Sequence, residues 1–193
     1  MSHQIDTKNV FVILPAFNED AVIRKVVVDL LPFKYELIVV DDGSIINQKF
    51  FLNDLNVTVL RHKVNLGQGA AIQTGLDYSL LMGAKYIVTF DADGQHNAKE
   101  IERLLAPLIL NKADIILGSR FLTEASHNMP LARMILIQMA RFINYMFTGL
   151  LLTDAHNGIR AMTDKAARSI RINENRMAHA SEILIHVKRS RLR

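Results

Sequence analysis

No cysteine occurs in the sequence. Disulfides and thiolate-ligated metal sites are therefore excluded, and a reducing compartment is compatible with the chain. The first ten residues, MSHQIDTKNV, lack the basic-then-apolar pattern of a secretory signal, and the expected location is the cytoplasm. Long apolar runs free of charge are also missing. The most apolar stretch, MILIQMARFINYMFTGLLL at 134–152, carries Arg141 near its middle, with Gln138 and Asn144 close by. It is just long enough for a bilayer core of about 30 Å. The penalty for a mid-membrane arginine argues instead for a helix that packs or lies on a membrane surface. Internal repeats, low-complexity tracts and long linkers are absent. So is a P-loop: NLGQGAA at 65–71 lacks the Gly-Lys-Ser/Thr ending, and it is not the dinucleotide G-x-G-x-x-G.

What is present suits one globular domain over residues 1–193. Half of the residues are hydrophobic and 22% are charged, and a chain of this length buries roughly 70% of its unfolded surface. The net charge of +4 hides an asymmetry. Residues 1–117 hold 11 Lys/Arg against 14 Asp/Glu, a net of −3, whereas residues 118–193 hold 12 against 5, a net of +7. A basic half beside an acidic half suits a polyanionic partner (a phosphate-bearing ligand, nucleic acid or an anionic membrane), and it suits an unevenly charged solvated surface equally well.

Short apolar runs rich in β-branched residues alternate with helical patterns. VFVILPAF (10–17), ELIVVDDGS (36–44), VTVLRH (57–62), YIVTFDAD (86–93) and DIILGSRF (114–121) read as buried parallel strands. EDAVIRKVVVDLL (19–31), GAAIQTGLDYSLLMG (69–83) and AKEIERLLAPLILN (98–111) read as helices. The alternation predicts an α/β fold, a Rossmann-like, mostly parallel sheet with helices on both faces. Ligands of such sheets bind beyond the carboxyl ends of the strands, where the polar signatures AFNE, DDGS, DADGQH and GSRF fall.

Asp91 and Asp93 are one residue apart at the end of an apolar run. On a strand they would point the same way, and two close carboxylates call for a cation between them. Oxygen ligands suit Mg²⁺ or Mn²⁺; Gln95 adds a neutral oxygen, and His96 could ligate Mn²⁺ more readily than Mg²⁺. A pair of turn-capping acids is the plainer reading. Asp41 and Asp42 end the second run, where a carboxylate can accept from a nucleobase N–H or a ribose hydroxyl, or can simply cap an Asp-Gly turn. The glycines of NLGQGAA could bring backbone amides to an anion or allow close helix–strand packing. Arg120 could hold a phosphate bidentately. DAHNGIRAM (154–162) reads as a polar loop carrying Asp154, Asn157 and Arg160. Glu182 and His186 share one helix face, more often as a surface pair than as catalytic groups.

Taken in order, ILPAFNE (13–19), VVDDGS (39–44), NLGQGAA (65–71), FDADGQH (90–96), GSRF (118–121) and DAHNGIRAM (154–162) resemble the inverting glycosyltransferases of family 2, in particular the dolichyl-phosphate mannose synthase-like branch. The resemblance covers about residues 9–187. It implies a GT-A fold, a nucleotide-diphosphate sugar donor (UDP, GDP or dTDP) and Mg²⁺ or Mn²⁺ at Asp91, Asp93 and Gln95. Pro15, Ala16, Phe17 and Glu19 would line the nucleotide pocket with Asp41 and Asp42. Asn65, Gly67 and Gly69 would lie against the base or ribose, and Asp91, Ala92 and Asp93 would meet the diphosphate. Arg120 would face donor phosphates or a phosphate-bearing acceptor, with Arg133, Asn157 and Arg160 on the acceptor side. Glu182 would serve as the base if the acceptor were a hydroxyl.

The same resemblance divides the domain into a nucleotide-sugar and metal half (about 9–121) and an acceptor half (about 122–193). The acceptor half stops short of the further strand and basic segment found in many relatives. The expected acceptor is a polyprenyl phosphate or a cell-envelope glycan or lipid precursor, met by peripheral contact at the cytoplasmic face of a membrane, with no nucleic acid partner. Three other readings stay open. A nucleotidyltransferase would show a Gly/Arg/Lys-rich loop where this chain has PAFNED. A receiver domain would place its acid pair after the first strand and carry a late lysine. A domain that binds the donor without catalysis is the third, given the short C-terminus.

Overall fold

In the computed structural model, which describes residues 6–20, 22–94, 96–118, 158–176 and 178–193, the central strand is β1, Val10–Ala16. Val10, Val12 and Leu14 enter one core, with Val27, Val39 and Leu105. Phe11 and Ile13 enter the other, with Ile38, Ile72, Leu76 and Ile183. Alternate side chains feed opposite faces of a strand, so a strand covered on both sides reads as one continuous apolar run.

Around β1 stand β2 (Glu36–Asp41), β3 (Thr58–Arg61), β4 (Tyr86–Thr89), β5 (Ile115–Leu117) and β6 (Arg160–Thr163), in the spatial order β3-β2-β1-β4-β6-β5. β1, β2, β3 and β4 run parallel. β6 is antiparallel to both of its neighbours, β4 and β5. The expected mixed, mostly parallel sheet is present, with two corrections. DAHNGIRAM is not wholly a loop, because Arg160 to Thr163 form a strand. Of the run at 114–121, whose residues 119–121 lie outside the described ones, Ile115–Leu117 form a strand. It joins the sheet through β6 rather than by pairing with β4.

The helices α1 (Ile23–Leu30) and α3 (Glu100–Ile109) cover the first core. α2 (Gln68–Leu81), α4 (Asp164–Ser169) and α5 (His179–Arg189) cover the second. No side-chain cap starts α1; its buried face of Ile23, Val26, Val27 and Leu30 holds it, at about 1.5–3 kcal/mol per side chain. The stretch 134–152 lies outside the described residues, and none of the described helices is long and apolar enough to cross a membrane.

Register decides where the site forms. Ala16 pairs with Asp41, and Ile13 with Thr89. Residues 41–42 and the segment after Thr89 therefore emerge beside the end of β1. After β1 the chain builds outward to β2 and β3 on one side and later returns to β4 on the other. That change of direction opens a crevice at the carboxyl ends of the strands.

α2 lies close on β1 at Gly75, where an added Cβ would overlap Ile13 Cγ2. Gly75→Ala is therefore expected to overpack the core and to cost about 1–3 kcal/mol. A lower urea midpoint at an unchanged m-value checks it, and an unchanged midpoint would show that α2 can shift freely.

Candidate active site

The pairs Asp41–Asp42 and Asp91–Asp93 reach the same crevice but are used differently. Asp41 is fully buried. Its carboxylate accepts from the amides of Ser44 at 2.8 Å and Gln48 at 3.1 Å, and Arg61 Nε stands 3.6 Å away. It shapes the 42–48 loop and does not line the pocket, contrary to its expected place there. With no exposed surface, its remaining lone pairs are out of a ligand's reach.

Asp42 does line the pocket. It accepts from the amides of Leu66 at 2.9 Å and Gly67 at 2.7 Å, and His62 Nδ1 lies 2.7 Å from its Oδ1. With Nδ1 facing a carboxylate, that nitrogen carries the proton, and Nε2 sits 2.9 Å from Thr74 Oγ1. Asp42 thereby fixes the turn that starts α2. The turn needs glycine at 67, where φ is +103°.

Asp91 and Asp93 lie in a turn rather than on β4, which ends at Thr89. The expectation that strand alternation aligns them is corrected: a turn brings both to one pocket of about 400 Å³. Gln68 Nε2 donates to Asp91 Oδ1 at 3.0 Å. Gly158 lies so close behind Asp91 that any Cβ there would overlap the carboxylate. His96 Nε2 is 3.7 Å from Asp91 Oδ2, and its Nδ1 is 3.8 Å from Glu100. The nearby Asp91 carboxylate, opposed by burial and aided by the charges of Glu100 and Asp93, raises the His96 pKa. Across the pocket, burial first and then Asp93 and Asp20 push the Glu19 carboxyl up.

Pro15, Ala16, Phe17 and Glu19 form one wall. Asn65 and Gly67 form another, and Asp91, Ala92 and Asp93 close the third. Gln68 and Ala71 also line it. Gln68 falls within the span Asn65 to Gly69 expected to lie against the base or ribose, whereas Ala71 was not singled out from sequence. Gln68 sits inside the glycine motif, and Ala71 shows no signal beyond small size. Gly69 lies behind the wall, its amide donating to Asn175 O at 2.9 Å. Arg160 is buried in β6 at 3% exposure, and neither it nor Glu182 lines the pocket. Glu182 takes its hydrogen bonds from Asn173 and Glu174. Gln95, Arg120, Arg133 and Asn157 lie outside the described residues.

The donor set suits a hard dication. Asp91 and Asp93 offer only oxygen, and Glu19, its carboxyl pushed up by burial first and then by Asp93 and Asp20, faces them across the pocket. Among the described residues no three acidic or imidazole groups are already gathered as a metal cluster. Mg²⁺ and Mn²⁺ need no such cage, since they keep positions for water and substrate phosphate.

The model of the family described as glycosyl transferase family 2 matches residues 11–171. The chain is 32% identical over 206 residues to the UDP-N-acetylglucosamine–dolichyl-phosphate N-acetylglucosaminyltransferase of Methanococcus voltae, covering 96% of this chain and 82% of that one. It is 30% identical over 164 residues to the polyprenol monophosphomannose synthase of Mycolicibacterium smegmatis, covering 80% of this chain and 62% of that one. Glucosyl-3-phosphoglycerate synthase from Mycobacterium tuberculosis, solved with Mn²⁺, uridine diphosphate and glucosyl-3-phosphoglycerate, superposes with a TM-score of 0.69 at 20% identity. That match covers 95% of this chain and 66% of the solved one, a likeness of fold, and the fold is GT-A. The chain belongs to glycosyl transferase family 2.

Proposed function

We propose that this chain transfers a sugar, with inversion, from a nucleotide-diphosphate sugar to a polyprenyl phosphate at the cytoplasmic face of a membrane. The observation that carries the reading is the pocket itself. Its Asp42 and Asn65–Gln68 walls suit a nucleoside, and its Asp91–Asp93 edge suits a metal-bound diphosphate. The acceptor class is supported by relatives named for dolichyl-phosphate and polyprenol substrates and by the basic second half of the chain.

Asp42, held in place by two amides and His62, presents a carboxylate edge to a base or ribose N–H or O–H. Asp91 and Asp93 would hold Mg²⁺ or Mn²⁺, which supplies Lewis-acid stabilisation to the diphosphate as negative charge develops on it. An acceptor phosphate oxygen attacks the anomeric carbon from the face opposite the diphosphate. The new C–O bond forms as the old one breaks, and its electron pair leaves with the nucleotide. The attacking oxygen is already ionised, so no side chain has to remove a proton. Glu182 then has no proton to take, in keeping with its place outside the pocket.

Thermal denaturation with UDP, GDP or dTDP, each with and without Mn²⁺, tests the donor site. A diphosphate at about 100 times its Kd should add about 2.7 kcal/mol, a clear rise in Tm. The rise should need metal and vanish in Asp93→Asn. Transfer of labelled sugar to undecaprenyl phosphate, read in the organic phase, should stop with EDTA, return with Mn²⁺, and fall on the order of 10²-fold or more in Asp93→Asn. Binding without transfer would favour a donor-binding domain, and no Tm rise with any diphosphate would sink the donor reading.

Asp42→Asn should lose on the order of 1–3 kcal/mol of stability, because buried amides of the turn lose a charged acceptor. Its urea midpoint should fall, and its binding of the diphosphate should weaken. A stable variant with full affinity would remove Asp42 from both roles.

A further inference from the structure

Glu182 reads from sequence as half of a Glu–His pair or as a base, and the structure gives its carboxylate a different set of neighbours. Asn173 N donates to Oε2 at 2.9 Å and to Oε1 at 3.1 Å, Glu174 N to Oε2 at 2.9 Å, and Asn173 Nδ2 to Oε1 at 3.0 Å. His186 Nε2 stands 3.9 Å from Oε1. Burial alone would raise the carboxyl, but the hydrogen bonds from Glu174 and Asn173, with His186, outweigh it and hold its pKa low. One side chain on α5 thus orders the loop between α4 and α5, whose backbone has no ladder of its own there. Two further bonds anchor the loop. Ile172 N donates to Gln73 Oε1 at 2.7 Å, and His179 Nδ1 lies 2.7 Å from Arg176 O.

That loop bears on the donor pocket. Gly69 N donates to Asn175 O at 2.9 Å. An added Cβ on Gly67 would overlap Asn175 O, and one on Gly69 would overlap Glu174 O. The glycines of NLGQGAA are therefore spaced for the loop's carbonyls to lie against the turn. From the other side, Asp42 takes the amides of Leu66 and Gly67. From the turn, Gln68 reaches Asp91. The wall at 65–68 is consequently gripped between Asp42 and the 173–175 loop.

We infer that Glu182 is a positioning residue for the donor: by ordering residues 173–175 it seats the Glu174 and Asn175 carbonyls on the glycine turn and fixes the wall that receives the nucleotide. The inference deepens the proposed glycosyl transfer and rests on it for its kinetic consequence, but the clamp itself can be read without substrate. A rigid wall lowers the ordering cost paid on binding, so loss of the clamp weakens donor binding and leaves the chemical step nearly intact.

Glu182→Ala and Glu182→Gln in the full chain test this, with amide hydrogen exchange, diphosphate titration in Mn²⁺ (UDP, GDP and dTDP) and steady-state transfer to undecaprenyl phosphate. In Glu182→Ala, exchange at Gly69 should quicken about tenfold, the factor set by one or two net hydrogen bonds, while Val39 in the core keeps its protection. Donor KM should rise by about the same factor with kcat within about threefold. Glu182→Gln, which keeps one acceptor oxygen, should lie between wild type and alanine. If alanine at 182 prevents folding, the glutamine variant carries the same comparison. Unchanged Gly69 exchange would overturn the clamp, and so would equal loss of protection at Val39. A fall in kcat with KM unchanged would overturn positioning in favour of proton transfer. If the wild type binds no diphosphate, the proposed function fails while the exchange comparison still decides the clamp.

Discussion

Carboxylates crowded at one end of a sheet repel one another, and this site depends on how that repulsion is settled. Asp41 and Asp42 are settled from within, by amides, Arg61 and His62. Their charge becomes the force that folds the 42–48 loop and the turn before α2. Asp91, Asp93 and Glu19 line the pocket instead. Gln68 and His96 serve Asp91, and burial first, then Asp93 and Asp20, push the Glu19 carboxyl up. The first pair holds loops in place, Asp42 with one edge on the pocket, and the second group has oxygens to offer a cation. The two look alike as letters, and backbone donors make the difference.

The register of β1 makes the arrangement possible. Pairing Ala16 with Asp41 and Ile13 with Thr89 sets how far each neighbouring segment projects past the sheet. Register is costly to slip here, because a one-residue shift would send Val12 and Leu14 into the face that now holds Ile13. Core packing thus sets the depth of the pocket. Gly75, pressed on Ile13, fixes α2 on the sheet, and with it the glycine turn that precedes the helix.

Much of this was legible in the sequence. The β1, β2 and β4 runs, the α1 stripe and the turns that line the pocket follow from periodicity and from acids at strand ends. The resemblance supplied the fold family and the grouping of Pro15–Glu19 with Asp42 and Asp93. What was not legible has a common physical cause, which is long-range pairing. Arg160 to Thr163 is four residues with no alternation of its own, and it becomes a strand only because β4 and β5 offer edges on either side. Asp41 reads as a ligand because its letters do not show the loop that turns Ser44 and Gln48 back onto it, or the neighbouring strand that brings Arg61. The turn geometry of Asp91 was hidden because an apolar run does not mark the residue at which pairing stops.

The same cause blurs the division of the chain into a donor half and an acceptor half. Gly67 and Gly69 are glycines because carbonyls about a hundred residues away occupy the space a side chain would take. A fragment ending near residue 121 would keep Asp42, Asp91 and Asp93, yet its glycine turn would lack one of the two surfaces that hold it. The entropy of closing so long a loop is repaid by the core in which Ile170, Ile172 and Ile183 pack with Ile72 and Leu76. The pocket and the second half are therefore folded together. Glu182 serves that joint from within the second half, by ordering Asn173 and Glu174 so that the 174–175 carbonyls meet the glycine turn.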